Sequence, residues 1–461
     1  MIEKSDNNKL KNKIGSIIGK IPFLHGRLDL HMKEVLSGAA IAFILRVIGA
    51  IAQFAFNILV ARMLGADGLG IYALAFTAST FASTIGRVGL DQAMMRFIAI
   101  HADRQEWGKV KEVFLKGMSI AFITSAIAAM VMFLLAPWIS VSLFHKPTLA
   151  SPMQCMALSV VPFSLINLTA ESLRGLKVIH YSSLVQAVLV PIISCVLLFL
   201  LVSAGLGING AILSYVSSTV VVFIIGALLC WRAGSHIWKA SIEVPYPTSE
   251  LLEVSVPMAW VAVMTFVICL ADTVILSMFR PASEVGIYVA AQRLAMIIGF
   301  IPVAVNSILA PKFAALFNAG ELVRLEQLAK NSTRLMLLCA GPLLFLFIFT
   351  PGFVMGIYGR EFVSGAVPLM LVSLGQLVNV AMGSVGLLLS MTGKQADLRN
   401  IMIVSALLNI VLCFALIPNF GILGATISNG IPVVVANIAA TYRVKRHLKI
   451  SVNQFWRFSK S

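Results

Sequence analysis

Leu64-Gly-Ala-Asp-Gly-Leu-Gly-Ile-Tyr72 and Arg280-Pro-Ala-Ser-Glu-Val-Gly-Ile-Tyr288 each join two long apolar segments. At the same offset beyond them, Met95-Arg-Phe97 is matched by Pro311-Lys-Phe313. Further on, Gly207-Ile-Asn-Gly-Ala-Ile-Leu-Ser214 is matched by Gly421-Ile-Leu-Gly-Ala-Thr-Ile-Ser428. Three matches in one order describe an internal repeat. Working outward, apolar segments fall at roughly 37–61, 71–98, 113–135, 152–173, 181–203 and 209–231, and again at 251–279, 285–310, 331–350, 362–390, 397–417 and 423–442. A span needs about 20 mostly apolar residues, so the expected fold is an all-α integral membrane protein of about twelve transmembrane helices in two six-helix lobes. With an even number of spans per half, the copies share one orientation and are related by a pseudo-twofold axis along the membrane normal.

The composition agrees. Of 461 residues, 59% are hydrophobic and 12% are charged, against about 25% charged in a soluble domain. The net charge of +16 does not indicate nucleic acid, because the basic residues lie between spans and read as topology signals. Lys and Arg crowd the termini and the even-numbered connections, for example Lys109, Lys111 and Lys116. The other side has only Arg62, Lys146, Arg280 and Arg360. Both termini are therefore expected in the cytoplasm. The units are a basic N-terminal segment (1–36), an N-lobe (37–231), a cytoplasmic linker (232–250), a C-lobe (251–442) and a basic tail (443–461). The first thirty residues lack the apolar run and small-residue cleavage site of a signal peptide. Leu10, Ile14, Ile17, Ile18 and Ile21 recur among lysines as in a surface-lying amphipathic helix, and a disordered basic tail is the alternative.

Polar residues inside spans usually face a bundle interior or a wet cavity. On span one, Arg46, Gln53 and Asn57 form one row. Span two carries Thr77, Thr80, Thr84, Arg87 and Asp91, span four Ser164, Asn167, Glu171 and Arg174, and span ten Gln376, Asn379, Gly383, Gly386 and Ser390. Arg46 and Arg87 lie at similar depth, and guanidinium groups bind phosphate oxygens in bidentate fashion, so both are expected to attract an anionic headgroup in an N-lobe cavity, with Gln53 and Asn57 as further substrate-binding residues there. Asp91, one turn from Arg87, is either its partner or a proton or sodium site that drives transport. Asp272 and Arg293, at equal depth on spans seven and eight, are expected to form a structural ion pair.

The six cysteines are scattered through apolar segments without a CxxC pair, so neither disulfides nor a metal site is expected. No P-loop, HExxH or GxSxG is present, and no enzymatic activity is expected.

Leu59-Val-Ala-Arg-Met-Leu-Gly-Ala-Asp-Gly-Leu-Gly-Ile-Tyr72, Leu173-Arg-Gly-Leu-Lys177, Asp272 and Gly286-Ile-Tyr-Val-Ala-Ala-Gln-Arg-Leu294 together resemble the polysaccharide and O-antigen flippases of the multidrug/oligosaccharidyl-lipid/polysaccharide exporter superfamily. The resemblance implies translocation of an undecaprenyl-pyrophosphate-linked oligosaccharide to the outer leaflet of the bacterial cytoplasmic membrane. It also implies alternating access between two lobes, with basic residues such as Arg46 and Arg87 in the cavity. By the same resemblance the partners are membrane lipids, the lipid-linked oligosaccharide, and a polymerase and glycosyltransferases of the same pathway. No cofactor is expected beyond a coupling proton or sodium ion. The alternative is an ion-coupled drug or cation exporter of the same superfamily, whose cavity carboxylates bind cations; span one here has Arg46 and no carboxylate.

Overall fold

The computed structural model describes residues 30–241 and 246–450, so the amphipathic segment expected around Leu10–Ile21 and most of both tails lie outside the described residues. Every described element is helical. Eight helices are long and apolar enough to cross a membrane. Three of them contain a glycine with non-helical backbone: Leu30–Gly86 at Gly65, the run 179–233 at Gly205 and Gly207, and Gln395–Leu448 at Gly421. Each of the three thus holds two spans. A bent pair, Pro147–Ala157 with Val160–Gly175, adds one more, which gives the twelve spans of the two-lobe fold.

The breaks carry the repeat. Gly207 has φ 50°, ψ −131°, and its counterpart Gly421 has φ 54°, ψ −126°. Only glycine visits that region without strain, so the same turn opens the sixth span of each lobe. Lipid-facing surfaces are apolar and exposed, as with Ile127, Met130 and Leu134 on span three and Leu338, Phe345 and Phe349 on span nine. The core runs between the lobes and includes Phe56, Leu69, Tyr72, Val285, Tyr288 and Leu294.

The lobes meet at the two quoted motifs. A methyl group on Gly70 would sit 1.8 Å from the Ala282 carbonyl oxygen, and one on Gly286 would sit 2.1 Å from that of Ala66. Gly70 corresponds to Gly286 and Ala66 to Ala282 in the repeat, so the two contacts are reciprocal. Glycine lets span eight lie backbone-to-backbone against the start of span two.

The linker is bound to the N-lobe. Lys111 Nζ donates to the Trp238 and Ala240 carbonyls at 3.0 and 3.2 Å, and the Tyr246 N–H donates to the Glu112 carboxylate. The Tyr246 ring packs against Phe97 and His101. Leu251 and Val254, in the first turns of span seven, join the N-lobe cluster of Leu90, Met94 and Ile98.

Candidate functional site

Span two does not run straight through its polar row. The helix stops at Gly86, Val88 and Gly89 take positive φ of 49° and 69°, and a new helix spans Leu90–Asp103. The other lobe packs against this break. A methyl on Gly89 would come 2.2 Å from the Ser255 carbonyl oxygen on span seven, so only glycine fits where that span crosses. Thr124 Oγ1 donates to the Gly86 carbonyl that the break leaves free.

Arg87 sits at this break. Its Nη1 donates to Asp91 Oδ2 at 3.0 Å, and both side chains are mostly buried. Asp91 is therefore the partner that offsets the desolvation of Arg87. The threonines of the row behave plainly: Thr80 and Thr84 donate to carbonyls four residues back. Ser79 and Ser83 bond Ser159 and Ser164 across to span four at 2.7 and 2.9 Å.

Span four supplies the hub. Arg174 Nη1 reaches both Glu171 oxygens at 2.8 and 2.9 Å, while its Nη2 donates to Gln186 Oε1 at 2.9 Å. Gln186 Nε2 in turn reaches Glu171 Oε1 at 3.3 Å and Asn167 Oδ1 at 3.5 Å. Asp91 and Arg46 both lie close enough for their charges to act on Glu171. Arg46 itself is exposed, and no hydrogen bond or ion pair holds it among the described residues. Close to it, Gly49 lets span one touch the Ala187 backbone of span five, where a methyl would come within 2.2 Å.

Arg87 and Asp91 are thus paired, and Asp91 and Arg46 lie within electrostatic reach of Glu171. Gln53 and Asn57 play a lesser part, since Asn57 is buried and its Nδ2 donates to the Gln53 carbonyl at 2.6 Å. Gln186 is a member that the sequence reading missed. It stands in a locally widened helical segment, Leu184–Val188. Its one signal was an isolated glutamine in an apolar run.

The expected ion pair between Asp272 and Arg293 is not formed. Fully buried, Asp272 accepts from Tyr288 Oη at 2.5 Å, Gln292 Nε2 at 2.7 Å, Asn429 Nδ2 at 2.9 Å and the Thr273 N–H at 2.8 Å. Tyr288 and Gln292 are four residues apart and share the face turned to Asp272. Arg293 is one residue further and so points about 100° away. It lies near Tyr72 and Tyr358 at the lobe interface, and both of those hydroxyls are buried without a hydrogen-bond partner.

Beside the glycine contact, three polar ties join the lobes among the described residues. Arg62 Nε donates to the Ile357 carbonyl at 2.8 Å, the Ala66 N–H donates to Glu361 Oε2 at 3.0 Å, and Lys146 Nζ donates to the Ser277 carbonyl. Burial lowers the Lys146 ammonium below its usual range. This tied end is the one whose sparse basic residues the charge asymmetry assigns to the outer face.

The comparisons follow this geometry. A family model described as polysaccharide biosynthesis protein matches residues 35–317, more than half of the chain. A probable flippase, AglR, of Haloferax volcanii is 25% identical over 292 residues, covering 62% of this chain and 58% of its own length. A probable low-salt glycan biosynthesis flippase of the same organism, Agl15, is 23% identical over 256 residues, 55% and 52% of the two chains. The chain thus spans little more than half the length of these relatives. An inward-facing multidrug resistance MATE family transporter of the MOP superfamily superposes with a TM-score of 0.70 at 14% identity, over 88% of this chain and 98% of that one. The lipid II flippase MurJ in an inward closed conformation gives 0.70 at 14% identity, over 89% and 87%. At such identity these neighbours establish the fold.

Proposed function

The chain belongs to the polysaccharide biosynthesis protein family, and from that premise we propose that it is a flippase that moves a lipid-linked oligosaccharide across the membrane by alternating access. Its substrate on this reading is an undecaprenyl-pyrophosphate-linked unit of O-antigen or a related surface polysaccharide. The membrane is the bacterial cytoplasmic membrane, with both termini inside. The observation that carries the reading is the N-lobe cluster, in which the exposed Arg46 stands unpaired beside Arg87–Asp91 and Arg174–Glu171. An unpaired guanidinium inside a span is costly unless water or an anion reaches it, and a diphosphate supplies the oxygens that its planar fork matches.

On this reading the tied end is the outer gate, and the Arg46 site loads from the inner leaflet once span seven leaves its crossing at Gly89. Asp91 is our proposed coupling carboxylate. A proton or sodium ion taken up there would loosen its hold on Arg87 and free that guanidinium for the headgroup. The two relatives named as flippases support the transported class.

The test is a strain lacking the gene, from which lipid-linked oligosaccharides are extracted while surface glycan is labelled. Precursor accumulates and surface glycan falls. The wild-type gene restores both, and Arg46→Ala at equal protein level leaves export at about a tenth or less. Normal precursor and surface glycan in the deletion strain would overturn the reading.

A further inference from the structure

Span ten carries Gln376 and Asn379, for which neither the headgroup cluster nor the tied end has a use. They do not stand alone. Asn379 Nδ2 donates to Gln376 Oε1 at 3.4 Å, and Asn437 Nδ2 on span twelve donates to Asn379 Oδ1 at 3.3 Å. One turn beyond Asn437, Thr441 Oγ1 reaches Met382 Sδ at 3.6 Å, and Ser384 Oγ donates to Asn306 Oδ1 on span eight. Asn437 Nδ2 and Thr441 Oγ1 also donate to carbonyls of their own helix at 2.9 and 2.8 Å, and three helices of the C-lobe bring these amides and hydroxyls together.

These groups do not face lipid. Ile431, Val435, Ile438 and Tyr442 are exposed and mark the lipid face of span twelve. Asn437 stands about 130° from the middle of that face, at about 100° per residue. On span ten, Gln376 stands about 200° from the exposed Leu374 by the same spacing. Yet Gln376, Asn379 and Asn437 are only half-buried. Half-exposed amides on the inner faces of spans border a wet space.

The mutual bonds are long, at 3.3 and 3.4 Å, against about 2.9–3.0 Å for a good N–H···O bond. Among the described residues, Gln376 Nε2, Asn437 Oδ1 and Asn306 Nδ2 bond to nothing. A carboxamide presents a donor and an acceptor side by side, which is what adjacent sugar hydroxyls require. A phosphate, acceptor-only when ionised, would leave the amide oxygens without partners.

We propose that Gln376, Asn379 and Asn437, with Asn306 and Thr441, form a sugar site in the C-lobe that hydrogen-bonds ring hydroxyls of the lipid-linked glycan, while the N-lobe cluster takes the diphosphate. This rests on the flippase reading and adds a division of labour to it: charge in one lobe, hydroxyl recognition in the other. The site determines which glycan is carried.

The experiment uses the purified full chain in nanodiscs and three probes: farnesyl pyrophosphate, the same lipid bearing N-acetylglucosamine or glucose on its diphosphate, and each free sugar. Two to three added hydrogen bonds make a sugar-bearing probe bind about tenfold tighter than the bare diphosphate. Asn379→Leu with Asn437→Leu brings that ratio within about twofold and leaves the bare diphosphate's affinity unchanged. Gln376→Met, which removes the unbonded amide nitrogen together with the oxygen that accepts from Asn379, lowers the ratio about threefold and serves if the double variant does not fold. Equal affinity of bare and sugar-bearing probes in the wild type, or a ratio unmoved by these variants, overturns the sugar site. Free sugar that competes as well as the lipid-linked probe overturns its assignment to the lipid-linked glycan. If the bare diphosphate fails to bind while a sugar-bearing probe binds through the amides, the sugar site stands and the headgroup reading falls. If no probe binds, both fall.

Discussion

Gly286→Ala tests whether the tied end is a gate. The added methyl would lie 2.1 Å from the Ala66 carbonyl oxygen, where real contacts are at least 3.0 Å, so the backbones must part by about an ångström. The Ala66–Glu361 bond at 3.0 Å and the Arg62–Ile357 bond at 2.8 Å sit on the same stretch. Stretched by about an ångström, both leave hydrogen-bonding range. Each contributes about 1 kcal/mol net, and some lost packing adds to that. A cost of about 2–3 kcal/mol shifts the balance between tied and parted states roughly 30- to 150-fold. Spin labels at the exposed Asp67 and Arg360, in a cysteine-free background, report the distance across this end. The wild type should give one short population, and Gly286→Ala should add or replace it with a longer one. Gly70→Ala should do the same, because its methyl meets Ala282 at 1.8 Å. An unchanged distance distribution in both variants, with the proteins folded, would refute the gate.

Three further outcomes are expected. Glu171→Gln loses the two-oxygen contact with Arg174, which keeps its bond to Gln186; a loss of about 1–3 kcal/mol is expected in detergent-solubilised thermal melts, and a double-mutant cycle with Arg174→Gln should show coupling. Gly207→Ala meets no atom within 4 Å, so its cost of about 1–3 kcal/mol comes from backbone conformation alone, and a melting temperature equal to wild type would contradict the assigned turn. Glu106 accepts a hydrogen bond from His101, which holds its carboxyl below the ordinary value of 4.5. A depressed carboxyl contributes stability that is present above 4.5 and is lost as pH falls through its lower folded value. Melts of the wild type should therefore decline more steeply below pH 4.5 than those of Glu106→Gln, and parallel profiles would remove the His101 contact as the cause.

Much of the fold was legible because the membrane restricts the choices. Apolar runs of about 20 residues must be helices there, and the repeat put Gly207 and Gly421 at corresponding places, where the structure shows matching turns. What escaped was information carried between helices. Ser255, more than 160 positions away, lies against Gly89 at the break in span two, and no local feature of that span reports the crossing. Asp272 and Arg293 were matched by depth alone, and the rotation of span eight between Gln292 and Arg293 decided against them. Arg87 and Asp91 were readable because only four residues of chain separate them, and the pair survives the break that lies between them. Gln186 was not, because its partners Arg174 and Asn167 belong to another span.

The reciprocal contact of Gly70 with Ala282 and of Gly286 with Ala66 has the geometry of a homodimer. In a twofold dimer the same patch faces itself, residue i meeting j and j meeting i. Here one chain satisfies that rule with its own two halves, in register across both motifs. The lobes are therefore held to each other as two subunits would be, and a change at one glycine of the patch is repeated in kind by a change at its counterpart.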